Sequence, residues 1–259
     1  NWIAHPWLYP ASVTQFGFIY HPLYLAVHGD IAAMRQVNLL VTLALGWGLF
    51  AALFHAQLHR ESDDRWPTAA LGFVFSATTL TLLYQWLPTP NYRSLTLQSL
   101  LMVGIGALLI NAPRPRTRVI AWVLLGFGGW LTFMAKPTSA VALAIIVGIT
   151  LVLLRHGPRR LLLLAAAVAT ALLVISALVI DGSVPAFIHR FVIGAEDLRR
   201  LQGGYTLREI LRINIIVLTP FEGVTLALSA AVIAFGTVAS FSPSRRRPWG
   251  VSIVLVIGA

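Results

Sequence analysis

The chain has 259 residues, of which 58% are hydrophobic and 11% charged, with a formal net charge of +10 and no cysteine. A soluble domain carries about 25% charged residues, whereas several apolar runs here reach the roughly 20 residues that cross a bilayer; an ordinary soluble fold is excluded. The missing cysteines rule out a disulfide framework and thiolate metal sites, and arginines clustered in short stretches between apolar runs belong to membrane-protein loops, not to a nucleic-acid-binding surface.

Residues 1–35 mix aromatics with prolines, among them Trp2, Trp7, Tyr9, Tyr20 and Tyr24 with Pro6, Pro10 and Pro22. Aromatics at this density suit the water–lipid boundary, so this stretch reads as an outer-face loop with interfacial helices. Spanning segments follow at 36–55, 68–86, 95–111, 119–134, 138–154, 161–180 and 213–239, with a further one beginning near 249. The runs are continuous and rich in Leu, Ala and Val, without the period-two alternation of barrel strands. Backbone groups in lipid must then be paired within helices. The expected fold is all-α, a polytopic transmembrane bundle over 36–259 with a long outer loop at 181–212. Because the chain starts at Asn1 and ends inside the apolar run 251–259, it reads as a piece truncated at both ends.

Alternate short loops carry Arg60 and Arg65; Arg114, Arg116 and Arg118; Arg155, Arg159 and Arg160; and Arg245, Arg246 and Arg247. The positive-inside rule places these in the cytoplasm. The opposite, outer side then receives 1–35, the 87–94 turn, the Lys136 turn and the 181–212 loop, which holds five arginines of its own.

Four segments carry candidate chemistry. Lys136 is the single lysine in the chain, followed by Pro137. Proline lacks an N–H and disfavours helix at the residue before it, so a helix breaks here beside a compact ammonium. That combination suits a phosphate; the bland alternative is a snorkelling lysine in a tight turn. The turn Pro88-Thr-Pro90-Asn91-Tyr92-Arg93 would project from the same face. Arg93 there is able to clamp phosphate in bidentate fashion, or to be a solvated arginine beside a Tyr92 anchor. His21 and Asp30 lie near the outer end of the first span. Both are weak catalytic candidates, His21 as the base that receives an acceptor proton; the favoured alternative is that they hold an interfacial helix onto the span, with Asp30 as its N-cap. Arg199, Arg200 and Tyr205, in the 181–212 segment, make a candidate lid or acceptor surface, the alternative being an amphipathic surface helix touching anionic lipid. Glu222 is a weak proton-relay candidate, and Gly126, Gly128 and Gly129 read as helix-packing residues. No residue set spells a metal site.

The order Tyr20-His-Pro-Leu-Tyr24, then Gly29-Asp30, then Arg35, then Phe133-Met-Ala-Lys136-Pro137 resembles the membrane-embedded GT-C glycosyltransferases of the protein mannosyltransferase-like and aminoarabinose transferase-like kind. The resemblance covers about 1–160. It implies a polyprenyl-phosphate sugar as donor and transfer to an acceptor on the outer face of a bacterial inner membrane. By similarity, Lys136 would neutralise the donor phosphate, with Arg93 and Tyr92 assisting. The family's acidic base or metal ligand, from early in its first outer loop, would precede Asn1, so a divalent metal is implied with no residue to hold it. Two other readings stay open: a transporter or flippase of a lipid-linked substrate, and a polysaccharide polymerase or ligase.

Overall fold

The computed structural model describes residues 2–58, 66–80, 88–110, 112–153 and 159–200. Two compact units divide the chain, Asn1–Leu198 and Arg199–Ala259. The first holds all the helices below except the last two residues of α8. The expected spans at 213–239 and from 249, and Tyr205 and Glu222 with them, lie outside the described residues.

Those residues form helices and no strand. After a 3-10 turn at Pro6–Leu8 come α1 (Phe16–Ala26), α2 (Ile31–Leu58), α3 (Trp66–Ser76), α4 (Tyr92–Leu109), α5 (Pro115–Ala135), α6 (Pro137–Leu153), α7 (Arg159–Asp181) and α8 (Val184–Arg200). Four stretches are long and apolar enough to cross a membrane: Ile31–Phe54, Tyr92–Leu109, Pro115–Ala135 and Leu161–Asp181. Ala69–Leu80 and Pro137–Gly148 are shorter apolar helices. The chain is thus a polytopic helical membrane protein. The segment expected as an outer loop at 181–212 is helical over its described part, from Val184 to Arg200. Gly182, at φ +72, supplies the left-handed residue that ends α7 and turns the chain into α8.

At the centre stands α5, with 50% of its apolar window buried, against 17% for α7. It packs on α4, α6 and α7, while α2 packs on α3 and α4. Small residues set these approaches. A Cβ on Gly128 would stand 2.6 Å from Val103 Cγ2 and 3.1 Å from Ser99 O on α4, and one on Gly126 would overlap Ala165 O on α7. Gly129 is different, since a Cβ there meets nothing within 4 Å. The α4–α5 seam is tied by Thr132 Oγ1, 2.8 Å from Ser99 Oγ.

The antiparallel α4–α5 pair brings Tyr92 and Lys136 to one end of the bundle and Leu109 and Pro115 to the other. At the first end α1 lies against α2 and α5. Its Phe16 and Tyr20 join Met34, Leu95, Leu131 and Ala135 in a buried cluster.

Candidate functional site

Lys136 closes one helix and opens the next. Its N–H donates to Thr132 O (2.8 Å), and its own carbonyl accepts from Ser139 N (3.0 Å) and Ala140 N (3.2 Å). Its backbone is extended, with φ −160 and ψ 102, because Pro137 cannot continue α5. The residue before it, Ala135, is fully buried, and Gln15 N donates to Met134 O at 2.7 Å, so the break is fixed from below. Lys136 itself is exposed. Its ammonium has no ion-pair partner among the described residues.

Arg93 sits at the start of α4, where Asn91 and Ser94 form a capping box. Asn91 Oδ1 accepts from Arg93 N (2.8 Å) and Ser94 N (3.0 Å), and Ser94 Oγ accepts from Asn91 N (2.9 Å). Arg93 Nε donates to Tyr92 OH at 3.0 Å, and its guanidinium lies 5.6 Å from the centre of the Tyr92 ring. Tyr92 in turn packs against Phe16, ring centroids 6.4 Å apart. Tyr92 therefore acts on Arg93 as an aromatic support that orients an exposed cation. Arg35 reaches the same turn, with Nε 2.8 Å from Thr89 Oγ1.

His21 and Asp30 have structural tasks. His21 Nδ1 donates to Ile3 O at 2.8 Å, which puts its hydrogen on Nδ1, and its ring meets Trp7 edge-on. Asp30 Oδ1 accepts from Ala32 N (2.8 Å) and Ala33 N (3.3 Å), the N-cap of α2. Arg200 is an exposed residue at the end of α8, and Arg199 shares that last turn. No group of three His, Asp or Glu side chains able to ligate a metal occurs among the described residues. A divalent ion has no fitting ligand set there.

Two buried polar groupings were not anticipated from the sequence. In the first, Tyr20 OH lies 3.3 Å from Asn38 Oδ1, 3.2 Å from Ser94 Oγ and 3.1 Å from Gln98 Oε1. Gln98 Nε2 donates to Asn38 Oδ1 (2.9 Å) and Thr42 Oγ1 (3.0 Å), and Asn38 Nδ2 donates to Pro88 O (2.9 Å). Burial pushes the Tyr20 phenol from its usual 10.0 up to about 12, against the opposing pull of the Ser94 hydroxyl. These neutral groups lock α1, α2 and the 88–94 turn into one body beneath Arg93.

The second joins α8 to the N-terminal segment. Arg190 grips Asp181 through Nε (2.9 Å to Oδ2) and Nη2, donates from Nη1 to Tyr9 O (2.8 Å), and faces the Phe18 ring at 5.6 Å. Nearby, a Cβ on Gly194 would come within 2.9 Å of Ser12 backbone carbon. The signal was present as an Asp and an Arg nine residues apart across a Gly, but it has meaning only once α8 is recognised as a helix.

Alongside this end, α5, α6 and α7 enclose a groove of about 410 Å³. Phe133 and Ala140 line it, one turn before and one turn after Lys136, and Leu125, Val147 and Ala165 line its deeper part.

The structure thus gathers Lys136, Tyr92, Arg93 and Arg35 at one end of the bundle, with His21 and Asp30 at the same end in scaffold roles. Comparison of the chain with protein-family models, with curated proteins and with solved structures gives no match.

Proposed function

We propose that the chain belongs to a membrane glycosyltransferase that takes a sugar from a polyprenyl-phosphate donor and passes it to an acceptor at the face bearing Lys136. The observation that carries the proposal is Lys136 itself: an exposed ammonium at a proline-enforced helix break, on the same bundle end as the tyrosine-supported Arg93. In such a transfer the bond between the anomeric carbon and the phosphate oxygen breaks, and a bond to the acceptor hydroxyl oxygen forms. The phosphate departs with added negative charge, and the acceptor proton passes to a base. Cations held rigidly where that charge develops lower the barrier. Lys136 supplies one from a fixed backbone. Arg93, presented by a capped helix start, supplies another in reach of a lipid headgroup at this surface.

The test is a binding titration in lipid nanodiscs with a short-chain polyprenyl phosphate and the matching polyprenol. Charge-assisted hydrogen bonds contribute roughly 1.5–3 kcal/mol, so Lys136→Ala is expected to weaken phosphate binding about 10- to 100-fold and to leave polyprenol binding unchanged. Equal phosphate affinity in wild type and variant removes the proposal.

A further inference from the structure

We infer that α8 lies in the boundary layer of the bilayer, with the row Val184, Ile188 and Val192 inserted among the upper acyl carbons. The height of α8 is fixed by its inner contacts. Phe187 shares a buried cluster with Ala177 and Ile180 of α7 and with Met134 of α5, and Phe191 meets the Phe133 ring with centroids 5.4 Å apart. These partners belong to the last turns of α5 and α7, two of the stretches long and apolar enough to cross a membrane. Further along, Gly194 rests on the backbone of Ser12 and Val13. The helix thus runs over the ends of two spans, where hydrocarbon gives way to headgroups.

The circumference of α8 is ordered for that place. Side chains three and four residues apart share a helix face, and Phe187, Arg190 and Gly194 are buried on the inner one. Beside the Phe191 edge of that face runs the row Val184, Ile188 and Val192, with Ile188 57% and Val192 55% exposed. The next sector carries the exposed His189 and Glu196. Beyond them, past half-buried Ile193, the inner face returns with Arg190. The aliphatic row therefore adjoins the phenylalanines that reach down to Phe133, and the polar row adjoins the arginine that reaches Tyr9 O. Apolar towards the hydrocarbon and polar away from it is the arrangement of a helix lying in the interface.

The neighbouring span says what covers the row. Ile175, Leu178 and Val179 of α7 are exposed, and on a membrane span such side chains meet lipid tails. Val179 is five residues from Val184, at most about 18 Å of extended chain, so the lipid surface on α7 continues onto α8. Charge narrows the partner. Between Val184 and Asp197 the one Lys or Arg is Arg190, which is 7% exposed and engaged by Asp181. No basic side chain of this stretch faces outward to gather anionic headgroups, so the row takes the acyl boundary of a neutral bilayer as readily as that of an acidic one. This placement does not depend on what Lys136 binds.

The chain has no cysteine, so Ile188→Cys, Val192→Cys, His189→Cys and Val179→Cys each accept a single nitroxide label in the full chain. The labelled proteins are placed in nanodiscs of phosphatidylcholine, with and without phosphatidylglycerol. Collision with oxygen, which concentrates in lipid, and with a nickel chelate, which stays in water, reports each label's surroundings. Labels replacing Ile188 and Val192 should behave like the one replacing Val179, at a depth of about 5–10 Å. Their ratio of oxygen to nickel collisions should exceed that of the label replacing His189 several-fold, in both lipid compositions. A nickel accessibility equal to that of the His189 position overturns the inference, since α8 would then stand in water. Shielding from both reagents overturns it too, because protein would then cover the row. So does an oxygen excess that appears only with phosphatidylglycerol, which would make acidic headgroups the partner.

Discussion

Removing the Arg190 side chain should release the contacts between α8 and the N-terminal segment, and the size of the effect can be worked out from them. The guanidinium is 7% exposed and its partner Asp181 14%. It makes a two-pronged grip on the carboxylate, one bond to Tyr9 O and a face contact with Phe18. Breaking a buried pair by deleting one partner costs about 3–5 kcal/mol. The pair lies at the end of a span with its acid partly wet, so the lower value applies, and Arg190→Ala should lose about 3 kcal/mol. Arg190→Lys should restore only part of it, because an ammonium cannot serve the carboxylate fork and Tyr9 O together. Replacing both partners with leucine should cost less than either single deletion, as no uncompensated charge remains. Unfolding by steric trapping in bicelles measures the free energies. Hydrogen exchange locates them, since amides of α8 and of residues 6–13 should lose protection together. The reasoning is refuted if Arg190→Ala and Asp181→Asn each cost less than about 0.5 kcal/mol, the range of ordinary surface changes, or if α8 and the N-terminal segment exchange independently.

Tyr20 predicts an alkaline limit. Burial raises its phenol pKa to about 12, so its contribution is complete below pH 10 and is lost as pH climbs through 12, a change of about 3 kcal/mol. Stability measured from pH 8 to 12 should fall in wild type and stay flatter in Tyr20→Phe. Asn91→Ala, which removes the capping box, should cost about 1 kcal/mol in a denaturation assay and disorder the Arg93 turn. On α5, Gly126→Leu collides with the α7 backbone at Ala165 and should cost about 2 kcal/mol or more. Gly129→Ala enters open space, and in the same assay it should be neutral or stabilising.

The features legible in the sequence were those fixed by local chemistry. Pro137 after Lys136 and Asp30 before α2 each announce a helix boundary through a donor that is missing or an acceptor that is supplied, whereas the Asn91–Ser94 capping box emerged only with the structure. Long apolar runs gave α2, α4, α5 and α7 because lipid demands their length. The 184–200 segment was harder. Its low overall hydropathy reads equally as a lid-like loop or an amphipathic surface helix, and only the docked helix, with Phe187 and Arg190 buried, shows which it is and why the arginine is inside. The Tyr20 network joins residues 18 to 78 positions apart, and such pairings follow from packing that no local pattern encodes. Gly129 looked equivalent to Gly126 and Gly128, and only the neighbouring helices distinguish a contact from a space.

The polar interior beneath the candidate site is made of amides and hydroxyls: Asn38, Thr42, Gln98, Ser99 and Thr132. Among the described residues no carboxylate enters that depth; Asp30 and Asp181 both lie at helix ends. At this depth the described part of the chain is held together by neutral groups, whose charge does not change across the physiological pH range.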